Sequence, residues 1–189
     1  MSGFADNPSE VILTLDAELD HAVSLVVYGR GALCLGFENP PPAYYATQDV
    51  DGIIPMAQLD ELASDEPFWS AVDRTNQKLE PKGLYITHLF QEDQVFLRPD
   101  WEQHILPVSR PATRWLRLSR PHTVDLILTK MMRGNDAQDM EDVEFLVQHD
   151  GITLEQMEPA FACVRMPEIP ELHEAFQRAL PRVREILRR

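Results

Sequence analysis

Two aspartates, Asp49 and Asp51, stand two residues apart in a run that is otherwise apolar and strand-like, ending Gly52-Ile53-Ile54. Side chains two apart on a strand share a face, so both carboxylates come within reach of one cation. Mg²⁺ favours such oxygen ligands and completes its shell with water and substrate phosphates, which makes a nucleoside triphosphate (NTP) the natural substrate. A metal held there would lower the pKa of an attacking hydroxyl and neutralise charge on the phosphates. An isolated Asp-x-Asp at a strand end is also an ordinary solvated pair. Here it has company: an apolar run, Val23–Tyr28, ends in the glycine turn Gly29-Arg30-Gly31, whose backbone amides could cradle a phosphate tail, and Thr47 lies just ahead of Asp49.

A third charged candidate, Lys130, comes much later. Its i−4 and i−3 neighbours Leu126 and Ile127 are apolar and Met131 follows, which puts the amine on or beside a packed helix face. Such a lysine needs a partner, either a triphosphate or a salt bridge to Asp139 or Asp142. Asp139, Glu141 and Asp142 fall in the first turns of a helix, where acids complement the macrodipole.

The elements that must position these groups follow from punctuation and periodicity. Pro8 and Glu10 open a helix that ends before the buried strand at Val23–Tyr28, and a short helix over Ala32-Leu33-Cys34-Leu35 stops at Gly36. Asn39-Pro40-Pro41-Pro42 is neither helix nor central strand, so it is a rigid excursion to a second strand over residues 46–54. Residues 56–62 and 66–79 are expected as helices, the latter with Phe68, Trp69 and Val72 inward. Strands over 83–90 and 94–97 would form a hairpin about the polar turn Gln91-Glu92-Asp93, with Glu92 and Asp93 in water. After a strand at Trp115-Leu116-Arg117-Leu118 the chain turns helical: one helix from Pro121 to Gly134, one from Asp136 to about His149, one behind a capping box at Thr153-Leu154-Glu155-Gln156, and one from Pro170 to Leu187. This order predicts an α+β fold, a small mixed sheet with flanking helices, divided into a core over 1–118 and a C-terminal helical region over 119–189.

Composition limits the functions open to such a fold. A length of 189 residues suits one catalytic core with an extension, and 44% hydrophobic with 25% charged residues is ordinary globular composition. Seventeen basic against thirty-one acidic residues give a net charge of −14, a field that repels phosphate backbones and anionic lipids, so extended DNA binding is not expected. Arg110, Arg114, Arg117, Arg120, Lys130 and Arg133 leave room for a local basic pocket. Cys34 and Cys163 lack metal-ligand or disulfide spacing and are expected as packed, reduced thiols. No stretch approaches the roughly 20 apolar residues of a membrane span, and none has the shape of a leader, so a cytoplasmic location without membrane attachment is expected.

Over about residues 20–148 the chain resembles the nucleotidyltransferase superfamily with the polymerase-beta-like fold, and most of all the small bacterial proteins grouped around the AbiEii and MenT toxins. That family's pattern is a hydrophobic strand, Gly-Gly or Gly-Ser, a helix, and then Thr-x-Asp-x-Asp. Val26-Val27-Tyr28-Gly29-Arg30-Gly31 and Thr47-Gln48-Asp49-Val50-Asp51 occupy those places. The segment from Val124 to Arg133, followed by Asp139-Met140-Glu141-Asp142-Val143, is similar to the family's helix-Lys-x-x-Arg and Asp-x-x-Asp helices.

The resemblance implies a Mg²⁺-dependent transfer of a nucleotidyl group from an NTP to a hydroxyl on RNA, protein or a small molecule. Asp49 and Asp51 would be metal ligands, and Gly29, Arg30, Gly31, Thr47 and Lys130 would hold the nucleotide. It also implies, as an alternative, a catalytically silent binding or regulatory copy with an antitoxin-like protein partner. Three features depart from the pattern: Arg30 stands where a second small residue is usual, the link from Gly31 to Asp49 is long, and the later strand Leu84-Tyr85-Ile86-Thr87-His88-Leu89-Phe90 has no carboxylate. On that strand His88 either faces the site or packs into the core, as a lone histidine in an apolar strand ordinarily does.

Overall fold

The computed structural model describes residues 6–189. They form an α+β protein whose chain divides into two compact units, one comprising 106–120 with the residues up to 91, the other 92–105 with 121–189. The division expected at 118/119 differs in two respects. It falls after Arg120, and the segment 92–105 leaves the sheet to join the helical unit.

The first unit holds a five-stranded mixed sheet. Its strands are β1 (Val23–Tyr28), β2 (Asp49–Ile54), β3 (Tyr85–Gln91), β4 (Leu106–Pro107) and β5 (Leu116–Arg120), in the order β3-β2-β1-β5-β4. β1 runs antiparallel to β2 and parallel to β5, and β2 runs parallel to β3. One face of this sheet carries Val23, Leu25, Val27, Val50, Ile54, Ile86, Leu116 and Leu118, all buried. Helices α1 (Asn7–Glu18), α2 (Gly29–Leu35) and α5 (Glu66–Leu79) pack against the strands. Each of the two longer helices starts on an aspartate cap: Asp6 accepts from the Ser9 N–H at 3.1 Å, and Asp65 from that of Phe68 at 3.0 Å.

Two polar side chains fasten helices to strands. Buried Asp16 of α1 accepts the backbone N–H groups of Arg114, Trp115 and Leu116, each at 2.8 Å, at the entry to β5. Burial alone would raise the Asp16 carboxyl, but these three donors outweigh it and hold it below the usual carboxylate value. Asn76 of α5 donates to the Ile86 carbonyl at 3.1 Å and accepts its N–H at 2.8 Å, covering the outer edge of β3, where a bare edge would invite pairing with another chain.

Between these elements the chain departs from expectation in small ways. Pro42 opens a four-residue helix, α3 (Pro42–Tyr45), because proline suits the first helical position even after two others. The second strand begins at Asp49, leaving Thr47 just outside it, and residues 56–63 split into a 3₁₀ turn and the short α4 (Leu59–Ala63). The predicted hairpin is absent. Beyond β3 the chain makes a 3₁₀ turn over Glu92–Gln94, and Leu97 pairs with Arg165 instead. Glu92 is buried, not in water, and accepts a charged bond from Arg165 at 3.0 Å, a partner 73 residues away that no local pattern reveals.

The second unit gathers α6 (Thr123–Lys130), α7 (Ala137–Asp150), α8 (Leu154–Cys163) and α9 (Pro170–Ile186). Gly134, Asp136 and the Thr153–Gln156 capping box bound helices as expected, and Gly151, also at positive φ, ends α7. Of the two cysteines, Cys34 is buried, its thiol pushed up to about 12 by burial and then by Asp6. Cys163 is exposed rather than packed. No helix among the described residues is long and apolar enough to cross a membrane.

Candidate functional site

The other face of the first unit's sheet sets its acidic residues beside buried Val26 and Ile53. Strand alternation puts Asp49 and Asp51 on it together, each half-buried, while Val50 between them points into the helix-covered core. Antiparallel register sets Tyr28 opposite Asp51, and parallel register sets Tyr85 opposite Asp49. The carboxylate pair is therefore flanked by β1 on one side and β3 on the other.

Gly29 makes the approach to Asp51 possible. It has φ +65°, in the left-handed region, as the chain turns from β1 into α2, and a methyl placed there would lie 3.6 Å from Asp51 Oδ2. Gly31, in the same turn, faces the Val50 side chain, and a methyl placed there would lie 3.6 Å from both Val50 Cγ atoms. Thr47 donates its hydroxyl to Asp49 Oδ1 at 3.2 Å. The sequence-predicted residues Gly29, Gly31, Thr47, Asp49 and Asp51 thus form one neighbourhood. Arg30 is half-buried and stacks its guanidinium over the Tyr44 ring, 5.3 Å from the centroid.

Lys130 belongs to the second unit, where it is buried. Its ammonium donates to Asp142 Oδ2 at 2.6 Å and Asp139 Oδ1 at 3.3 Å, while Arg133 donates to Asp139 Oδ2 at 2.6 Å. Of the two partners the sequence left open, this is the salt bridge, made to both aspartates at once. Asp139 and Asp142 are themselves buried, so their place in the first turns of α7 is only part of their role.

Three aromatic groups surround the carboxylates; Tyr28 and Phe90 were not singled out by the sequence, which left the facing of His88 open. Tyr28 has its phenol pushed far above its ordinary value, first by burial and then by the negative charges of Asp51 and Asp49, so it stays protonated and can donate. His88 is not packed in the core: its side chain is 65% exposed, with Nδ1 3.8 Å from Asp51 Oδ1. Its ring stacks on Phe90 at 5.1 Å and 25°, and Phe90 meets Tyr28 edge-on at 5.9 Å. The cause is a bulge. Val50 pairs with Ile86 and Gly52 with Leu89, so Thr87 and His88 together oppose Asp51 alone. Tyr85 and Phe90, five apart and on opposite faces in a regular strand, both end up on the carboxylate face.

As a donor set, two carboxylates on one face suit a hard divalent cation such as Mg²⁺. Among the described residues no group of three or more His, Cys, Asp or Glu side chains is arranged to hold a metal ion. Asp49 and Asp51 would therefore supply two ligands, leaving the remainder of the shell to water and phosphate oxygens. The chain matches no family model, no curated protein and no solved structure.

Proposed function

We propose that the first unit is a nucleotidyltransferase-like core and that the protein transfers a nucleotidyl group from an NTP to a hydroxyl on RNA, protein or a small molecule. The observation that carries this reading is the pairing of half-buried Asp49 and Asp51 on one sheet face, with the Gly29 turn brought against Asp51. In the transfer the acceptor oxygen bonds to the α-phosphorus, the bond from that phosphorus to the bridging oxygen breaks, pyrophosphate leaves and the hydroxyl proton passes to solvent. Mg²⁺ bound by Asp49 and Asp51 would supply charge neutralisation on the phosphates. Thr47 holds the Asp49 carboxylate in place, and Tyr28 offers a protonated phenol beside Asp51.

The test is to incubate the protein with each labelled NTP, Mg²⁺ and a cell extract. Wild type labels an acceptor and Asp49→Asn does not; labelling that persists in the variant rejects the assignment.

One observation favours a second reading, a catalytically silent binding module with an antitoxin-like partner. Lys130, which the resemblance assigns to the triphosphate, is buried between Asp139 and Asp142. Calorimetry with Mg²⁺-ATP and Mg²⁺-CTP separates the two, because heat of binding with neither nucleotide leaves only the second.

A further inference from the structure

The aromatic row on β3 lies beside the carboxylate pair. Tyr85, His88 and Phe90 share the face of Asp49 and Asp51, Tyr85 by its register with Asp49 and the other two through the bulge at Thr87–His88. Tyr85 is 38% exposed and His88 more exposed still. Phe90 supports the His88 ring from one side and is itself braced by the edge of Tyr28. A ring held on one side by a second ring, and open to solvent, is a stacking surface. Planar heteroaromatic ligands fit it, because every nucleobase has a π face and stacking tolerates differences in sequence. The net charge of −14 argues against a polyanionic strand as the ligand and for a single nucleotide whose phosphates are charge-compensated.

We infer that His88, backed by Phe90 and flanked by Tyr85, stacks the nucleobase of the NTP, so that this ledge and not the carboxylates discriminates a nucleotide from a bare polyphosphate. The inference rests on the nucleotidyltransferase reading. His88 is a positioning residue in it, acting through its ring face.

The experiment compares binding of Mg²⁺-ATP and Mg²⁺-tripolyphosphate by calorimetry for the wild type, His88→Ala and His88→Phe. Wild type is expected to bind ATP more tightly than tripolyphosphate. His88→Ala should lose about tenfold or more for ATP, the size of one base–aromatic stack, with tripolyphosphate unchanged. His88→Phe should restore most of the loss, since it keeps the ring and removes the nitrogens. Because His88 is exposed, these variants are expected to fold, which their circular dichroism checks. Equal ATP affinity in wild type and His88→Ala overturns the ledge while leaving the transferase reading intact. A parallel loss for ATP and tripolyphosphate also overturns it, by placing His88 on the phosphates. Failure of the wild type to bind either ligand overturns both.

Discussion

In the first unit Asp49 and Asp51 sit half-buried on one sheet face, like charges two residues apart with a threonine hydroxyl and a histidine ring beside them. In the second unit Asp139 and Asp142 close around Lys130 and Arg133, and the acids and the lysine are buried. Both clusters sit at Asp-x-Asp or Asp-x-x-Asp spacings, and spacing alone does not tell them apart. Surroundings do. A buried charge is tolerated when opposite charge and hydrogen bonds compensate it within the fold, so the second cluster has a structural explanation complete in itself. Adjacent carboxylates kept at an accessible face repel each other, and a bound cation would relieve that repulsion.

The largest expected effect would come from Lys130→Met. It leaves Asp139 and Asp142 buried without their ammonium, and unfolding free energy should fall by about 3–5 kcal/mol in urea denaturation. A loss below about 1 kcal/mol, coupled to loss of ATP binding, would break the comparison and return Lys130 to the nucleotide.

Next is Gly29→Ala. The new methyl meets Asp51 Oδ2 only at ordinary contact distance, 3.6 Å, so the cost is the left-handed backbone, about 1–2 kcal/mol by the same measurement. A neutral result would mean that the turn relaxes and does not fix the approach to Asp51.

Asp49→Asn should change stability by no more than about 0.5 kcal/mol while abolishing nucleotidyl labelling, since an amide oxygen still accepts from Thr47. Strong destabilisation would make this pair structural, like the other.

The smallest effect concerns a charge-matched clasp within the first unit. His21 lies between Asp20, 2.8 Å from Nδ1, and Asp65, 2.7 Å from Nε2, and only the doubly protonated ring donates to both. These bonds, first to Asp20 and then to Asp65, raise its pKa above 6.5. A raised folded-state pKa means that the stabilisation is complete below the unfolded value and is lost as pH rises through the folded one. Melting temperature should therefore fall from mildly acidic to mildly alkaline buffer in the wild type, and this slope should flatten in His21→Gln. An unchanged slope in the variant would assign the pH dependence elsewhere.

The legible parts of the fold were those set by local chemistry. Pro8, Asp136, Gly134 and the Thr153–Gln156 box act within a few residues of themselves, and the helices they bound lie where expected. The facing of Asp49 and Asp51 was legible for the same reason, because a two-residue repeat needs no knowledge of the partner strand. The hairpin after β3 failed since Glu92 answers to Arg165 and Leu97 pairs with Arg165, contacts closed across some 70 residues.

The sequence by itself determined the α+β order, the caps and the carboxylate pair that stands at the centre of the proposed site. Only the tertiary structure decided what surrounds each charge. Burial turned Lys130 toward two aspartates, since an ammonium removed from water needs opposite charge at contact distance. A single extra residue in β3, invisible in the alternation of one strand because it exists only relative to β2, moved His88 out of the core and beside Asp51.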